Sequence, residues 1–375
     1  MNMDRRRFLE LMGHGALVIG ASSLVIGCGR GIQRQDLLQI EPISRPLRGL
    51  DPVDVEILHY ASLAPSSHNA QPWYVKVLGE REWLVGVEPK RRFPVVDSQN
   101  RETLLSMGAF LEHISIAAGA LGYEAEIAVI ADSPLEEDIA RVSLKKSHPS
   151  KYPLERITTR RTVREGLRPT ELKRMDIEAL SEPLDGHIFY FSQESEHGKC
   201  IQKITAEAVY TQTYRDDAQR EFADWFRISD EDAGKHRDGM TLEASEITGF
   251  VGWYMRNFMD REDVTGWLFC SGRIDVASRQ TEEGAGWFII TSAGNSVPDL
   301  IETGRRFERM FLLARERNVA VHAMSQALEE EKHREEIASE HDTDLLPQLI
   351  LRVGYIDNYP DPVSLRRPVD WFVRT

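Results

Sequence analysis

Apolar residues recur at helical spacing at Val53, Ile57, Leu58 and Ala61, directly after Asp51-Pro52, a capping carboxylate followed by proline at the first helical position. Ala64-Pro65-Ser66-Ser67 ends this predicted helix. Trp73 to Leu78 and Trp83 to Val87 read as strands joined by a turn at Gly79-Glu80, and Thr103 to Leu121 reads as a long helix closed by Gly122. Near the end of the chain Gln348 to Tyr355 is an apolar run suited to a buried strand. The stretch from about Ala206 to Arg279 is rich in acidic, arginine and aromatic residues and reads mostly as helix. Aromatics at that density serve packing, or a lid over a flat apolar group.

The long helix has a counterpart. At an offset of 196 residues (300 − 104), Leu104 to Gly108 fall on Leu300 to Gly304, Leu111 on Phe307, Glu112 on Glu308 and Ile114 on Met310. Gly122 falls on Asn318, the other residue type that readily takes the left-handed conformation closing a helix. Any two amphipathic helices share an apolar period, but the coincident glycine, glutamate and cap point to a repeat. The predicted organisation is a leader over 1–28, a tether over 29–50, a first half over 51–154, and a second half over 155–375 carrying a helical insertion over about 206–279.

Charge narrows the partners. A net charge of -14 excludes a broad basic face for nucleic acid, although local basic clusters can still bind a small phosphate. Asp4-Arg5-Arg6-Arg7-Phe8-Leu9-Glu10 resembles a twin-arginine export signal, and the uncharged run from Leu11 to Gly27 ends in Leu24-Val25-Ile26-Gly27-Cys28, which resembles a lipobox. The alternative is an uncleaved anchor, the run being near the lower length limit for a spanning helix. The expectation is an exported, periplasmic or cell-envelope protein, touching membrane only through its leader or a lipid on Cys28. Cys200 and Cys270 would then be the remaining cysteines, and they read as structural or free thiols that an oxidising compartment could pair.

The chemistry sits in three segments. Ala64-Pro65-Ser66-Ser67-His68-Asn69-Ala70-Gln71-Pro72-Trp73 places small hydroxyls and amides where they can bond the polar edge of a flat heterocycle without crowding its face. Ile157-Thr158-Thr159-Arg160-Arg161-Thr162-Val163-Arg164 supplies planar guanidinium forks and a hydroxyl suited to phosphate. Ser364-Leu365-Arg366-Arg367-Pro368 adds two further cations. Taken singly, these are an ordinary turn, a solvated basic face and a weak basic pair. No glycine-rich dinucleotide fingerprint and no nucleophile elbow occurs. His341-Asp342-Thr343-Asp344 lacks the further ligands of a metal site, and Glu329 to Glu336 reads as a charged helical face.

Together the segments resemble the nitroreductase family, in particular its two-repeat, Acg-like branch. The resemblance implies an α+β fold with two fused, pseudo-symmetric halves, helices packed on mixed or antiparallel sheets, and one FMN between the halves. It assigns Pro65, Ser66, Ser67, Asn69 and Gln71 to the flavin edge. Arg160, Arg161, Thr162 and Arg164, closed by Arg366 and Arg367, fall to the phosphate and ribityl chain. Met324 and Ser325 come out as backbone donors near flavin N5, and His322 reads as packed or solvent-facing. The implied activity is electron transfer from a small-molecule donor to a nitroaromatic, quinone or similar acceptor, with no side chain singled out as acid or base. The alternative is a slow or non-catalytic FMN-binding protein whose insertion covers the flavin. The resemblance further implies a monomer with an internal pseudo-dimer.

Overall fold

In the computed structural model the described residues are 31–34, 36, 47, 49–339 and 346–374. The twin-arginine signal, Cys28 and His341 to Asp344 lie outside them. Helix α1 (Pro52–Ser62) opens with the reciprocal capping box of Asp51 and Asp54. It leads through a short left-handed loop into strands β1 (Trp73–Gly79) and β2 (Glu82–Val87). Helix α2 (Arg101–Ala120) follows; the amides of Glu102 and Thr103 at its start donate to buried Asp97, and it closes on Gly122 at φ 85. Strands β3 (Tyr123–Val129) and β4 (Asp138–Lys146) complete the first sheet.

The next part of the chain holds α3 (Glu155–Thr159), α4 (Arg174–Ser181), β5 (Ile188–Ser192) and α5 (Glu196–Thr213). A covering layer comes next: α6 (Asp216–Asp224), β6 (Phe226–Arg227), α7 (Asp230–His236), β7 (Met240–Thr241), α8 (Gly249–Phe258), α9 (Arg261–Thr265) and α10 (Trp267–Glu282). The chain then returns through β8 (Gly286–Ser292), α11 (Val297–Ala314), β9 (Val319–Ala323), α12 (Gln326–Glu329), α13 (Glu331–Ser339) and β10 (Leu346–Tyr355). It ends in α14 (Val369–Phe372) and β11 (Val373–Arg374).

The protein is α+β, with helices on one mixed and one antiparallel sheet. The first sheet has the order β11-β1-β2-β4-β3 and the second β5-β8-β10-β9. Within these two sheets all neighbours are antiparallel except β11, which the C-terminus delivers alongside β1 in parallel, Val75 opposite Val373, and β6 and β7 form a separate parallel pair. Strand β3 alternates buried and exposed residues, whereas β8 and most of β10 are buried on both faces, as their unbroken apolar runs require.

Helices α2 and α11 pack directly on each other, and Leu104, Met107, Phe110, Leu111, Ile114 and Met310 of the two helices are wholly buried in the main core, Phe110 stacked on Trp73 of β1. The length and apolarity of α2 would allow it to cross a membrane, but 78% of its most apolar window is buried inside the protein. The α2 and α11 backbones touch where glycine occurs in both: a Cβ on Gly304 would lie 2.1 Å from the Leu105 carbonyl oxygen, and one on Gly108 would lie 2.2 Å from that of Ile301. The predicted ends also match, Gly122 and Asn318 both being left-handed, with φ 85 and 52.

Two expectations change. Gly31 to Arg34, placed by sequence in the tether, lie on the body, where Arg34 is buried and donates through Nε to the Ser364 carbonyl at 3.0 Å. The C-terminal strand, placed by sequence in the second half, joins the first sheet, a crossing that a two-residue segment does not announce. Among the described residues no disulfide joins Cys200 to Cys270.

Candidate functional site

A cavity of about 1500 Å³ opens where α2, α11, the edge strand β9 and the covering helices meet. It exceeds the ~300–1,000 Å³ usual for one small ligand, so it has room for a flat cofactor and a second reactant. Pro65, Ser66, Ser67 and His68 form one wall, Thr162 and Arg164 a second, and Val321 through Gln326 a third. Three segments distant in sequence therefore meet around one space. Leu105, Ala109, Phe307 and Phe311 from the helix pair give it an apolar floor, and Phe222, Phe226, Met255 and Phe258 from the covering layer give it a roof.

The Pro65-Ser66-Ser67 loop is held in an unusual backbone. His68, Asn69 and Gln71 all have positive φ (46, 55 and 51), each costing on the order of 1–3 kcal/mol outside glycine, with asparagine at the low end. Its hydrogen bonds hold that shape: Ser66 Oγ accepts the Gln71 amide at 2.9 Å, Ser67 Oγ donates to Glu102 at 2.8 Å, and the Ser67 amide donates to Ser106 Oγ at 3.2 Å.

Asn69 and Gln71 turn away from the cavity. The Asn69 amide nitrogen donates to the carbonyls of Gly239 at 3.0 Å and Leu365 at 3.2 Å, and Gln71 donates to Arg237 O at 2.8 Å and accepts the Arg367 amide at 2.8 Å. Arg367 in turn donates to the carbonyls of Gln71 and Trp73. These three residues stitch the loop to the covering layer and the C-terminal segment. None of the three, expected at a ligand, lines the cavity; most of their bonds go to backbone, while Asn69 Oδ1 accepts from Arg366 and Arg367 Nε has no acceptor.

Arg160 and Arg366 converge behind the Pro65 wall. Arg160 donates to the Leu63 carbonyl at 3.0 Å and lies 4.9 Å over the ring of the cavity-lining Phe311. Arg366 reaches the same Leu63 carbonyl at 3.3 Å, that of Ala64 at 3.2 Å, and Asn69 Oδ1 at 2.7 Å. Arg34 belongs to the same group: burial, then the charge of Arg160, pulls its guanidinium down to about 9. Burial, then Arg34 and Arg160, holds Arg366 well below its ordinary value. Glu308, 3.4 Å from Arg160 Nε, is the carboxylate among them. The Nε–H groups of Arg160 and Arg366 are buried without a hydrogen-bond acceptor, as are those of Arg161 and Arg367, Arg160 Nε having only its ion pair with Glu308. Buried cations in excess, with unused donors, are the environment an anion would relieve.

Arg161 and Arg164 have a different job. Arg161 pairs with Glu246 at 3.0 Å and donates to the Asp361 carbonyl at 2.6 Å. Arg164 donates through its amide to Glu246 at 3.1 Å and through its guanidinium to the Ala244 carbonyl at 2.6 Å. They clamp the covering layer, and of the two only Arg164 lines the cavity.

Several wall residues escaped the sequence reading. His322, expected to be packed or solvent-facing, is packed; burial, then Arg164 and Arg352, keeps its pKa well below the ordinary value, so it is neutral. His68 is likewise neutral, brought down by burial to about 4. Glu329, expected on a charged helical face, lines the cavity and accepts from Gln212. Burial, then the nearby Glu102 carboxylate, raises its pKa well above the usual carboxylate range. Its surroundings thus favour the protonated form. Met324 and Ser325 line the cavity, and the Met324 amide donates to the Ile350 carbonyl at 2.9 Å. Away from the cavity, Glu207, His333 and Glu336 bring potential ligand atoms within 4.8 Å of one another.

The donor set suits a phosphorylated flat ring system: hydroxyls and a strained loop at one edge, apolar helix faces across the plane, and buried guanidiniums behind. Comparison with known proteins finds these similarities. The chain is 31% identical over 123 residues to a probable NAD(P)H nitroreductase, PigM, of Serratia sp., a match covering 31% of this chain and 34% of that protein. It is 32% identical over 105 residues to a putative NAD(P)H nitroreductase, Rv3131, of Mycobacterium tuberculosis, covering 25% and 30%. These matches span about a third of either relative. A third, to the putative NAD(P)H nitroreductase acg of the same organism, is 22% identical over 328 residues and covers 83% of this chain and 92% of acg. A nitroreductase-like family protein from Bacillus cereus aligns over 59% of this chain and 95% of its own with a TM-score of 0.33 and 15% identity. No family model matches the chain.

Proposed function

We propose that the chain is an FMN-dependent oxidoreductase of nitroreductase type, a fused pseudo-dimer that uses one flavin to pass electrons from a small donor to a nitroaromatic, quinone or similar acceptor. The observation that carries this reading is the meeting of Pro65-Ser66-Ser67, Thr162 with Arg164, and Met324-Ser325 around one cavity, with the unsatisfied Nε–H groups of Arg160 and Arg366 behind it. The similarity to proteins named NAD(P)H nitroreductase, including one matched along most of its length, supports it.

In this reading Arg160 and Arg366, with Arg34, receive the FMN phosphate. Thr162 and Arg164 border the ribityl chain, and Ser66 and Ser67 present a polar edge to the ring. Of the two backbone candidates for N5, Ser325 is favoured, since the Met324 amide is committed to the sheet. Bound FMN supplies two-electron chemistry at its ring, and the protein supplies position and polarity. Glu329 stores a proton inside the cavity, and the apolar roof from Phe222 to Phe258 keeps water off the reacting plane. We further propose that the leader exports the chain to the cell envelope and that Cys28 carries a lipid. Free NAD(P)H is scarce there, so the donor is another small reductant or a quinol.

The covering layer favours a second reading, flavin storage, since it roofs much of the cavity. Turnover separates the two. With reductant added and oxygen removed, the flavin absorbance should bleach, and a nitroaromatic or quinone should restore it within seconds. A flavin that neither reductant nor acceptor reaches supports storage.

A further inference from the structure

We propose that the outward face of α8 is a membrane-docking surface that seats the mouth of the cavity on a lipid bilayer.

Helix α8 turns Gly252 and Met255 inward, where both are buried. Phe250, Trp253, Tyr254 and Phe258 follow at the i, i+3, i+4, i+8 spacing of the opposite face. Phe250 is 50% exposed and Phe258 61%, and Trp267, at the start of α10, is 71% exposed. The rings contact one another, Phe250 and Trp253 at 5.6 Å between centroids, Trp253 and Phe258 at 5.5 Å, Tyr254 and Phe258 at 5.3 Å, with Trp253 and Tyr254 half-buried beneath the exposed phenylalanines. Contiguous apolar surface of this kind is uncommon on a soluble monomer, and Trp and Tyr concentrate where hydrocarbon meets water. Tyr254, Phe258 and Trp267 also line the cavity, so the patch is its rim.

The occupant is indicated by where the N-terminal segment meets the body. The Gly31 amide donates to Glu243 Oε1 at 3.1 Å, and a Cβ at Gly31 would lie 2.5 Å from Arg256 Nη2, on α8 itself. The Ile32 amide donates to Asp230 at 3.1 Å. Gly31 is thus pinned to the flank of the aromatic helix, and Cys28 stands three residues before it. Three residues reach at most roughly 10 Å. Whether the chain is held by a lipid on Cys28 or by an uncleaved apolar run from Leu11 to Gly27, its attachment ends within that distance of α8. Anchor and aromatic rim are therefore both close to α8. Exposed Asp260 and Glu262, next along the chain, disfavour anionic headgroups, so the surface suits a zwitterionic interface where ring burial outweighs charge. A reactant dissolved in the bilayer would then enter the cavity without crossing water.

The proposal uses the anchor but does not need the flavin. Its test is fluorescence of the full chain reconstituted in phosphatidylcholine vesicles containing lipids brominated near the headgroup end of the acyl chains. Bromine should quench a substantial share of the tryptophan emission, and the double variant Trp253→Phe, Trp267→Phe should lose most of that quenching, whereas Trp371→Phe should keep it. Equal quenching in the double variant and the parent would overturn the proposal. So would a parent that shows no quenching and sediments as a dimer until Phe250→Asp returns it to monomer, since the face would then be covered by a second copy. The visible spectrum of the same samples reads the flavin proposal separately: colourless protein with quenching intact sinks that reading and leaves docking standing.

Discussion

Glu308 of α11 accepts a hydrogen bond from His113 of α2 at 2.7 Å, both side chains being wholly enclosed. Its counterpart across the helix crossing is Glu112 of α2, which takes Arg309 of α11 at 2.8 Å. The two contacts exchange under the 196-residue offset that relates the helices (308 − 112 and 309 − 113). They differ in what surrounds them. Glu112 meets Arg305 and Arg309, which keep part of their surface in water, whereas Glu308 also faces buried Arg160 at 3.4 Å.

Glu308→Gln should therefore cost more than Glu112→Gln. Removing one partner of a buried pair typically costs about 3–5 kcal/mol because it strands the other charge, whereas exposed partners rehydrate and the loss is about 1 kcal/mol or less. Urea unfolding of both variants checks the order. Equal losses would mean that Arg160 does not depend on Glu308.

The glycine crossing gives a second prediction. Gly304→Ala places a methyl group 2.1 Å from the Leu105 carbonyl, so the helices must part, at about 1–3 kcal/mol or more. Gly119→Ala, on the same α2 but 3.5 Å from the nearest atom, the Ser150 hydroxyl, should be neutral or stabilise by about 0.5–1 kcal/mol. Thermal unfolding of the pair should show shifts of opposite sign.

The sequence carried this crossing well. Gly108 and Gly304 share a place in the apolar period, and Gly122 and Asn318 share a cap, because backbone contact and left-handed closure each demand a narrow set of residues. The α+β class, β1, β2, α2 and β10 were legible from period and caps for the same reason. The site was legible as segments and less so as atoms. Pro65-Ser66-Ser67 does face the cavity, but which of Asn69, Gln71 and the five motif and C-terminal arginines does so depends on which backbone carbonyls lie nearby, and carbonyl positions follow from tertiary packing. Glu329 looked like one acid among many, and only the fold turns it inward beside Glu102.

Stability should respond to pH from both directions. His68 sits at about 4 in the folded protein against 6.5 unfolded, so its neutral, native form is fully favoured above pH 6.5, and stability is lost as pH falls from there towards 4. Glu329 acts in the opposite sense: its folded pKa is raised well above 4.5, so stability declines as pH rises past 4.5 towards that value. His68→Phe should flatten the acid limb of a plot of Tm against pH, and Glu329→Gln the alkaline limb. A variant that leaves its limb unchanged removes that residue from the account.

Charge reversal at the guanidinium cluster should discriminate between two flavins. Arg160→Glu or Arg366→Glu should weaken FMN binding by at least tenfold while riboflavin, which has no phosphate, binds as it does to the parent. Arg161→Glu should instead loosen the covering layer, affecting both flavins alike, since Arg161 is engaged with Glu246 and Asp361. Titrations followed by flavin fluorescence read these affinities directly.

The most direct test is the visible absorption spectrum of the purified protein, before and after it is offered FMN. The account predicts a yellow protein, or an apoprotein that becomes yellow, with one FMN retained per chain through gel filtration. A colourless protein that retains no FMN when saturated with it would contradict the account.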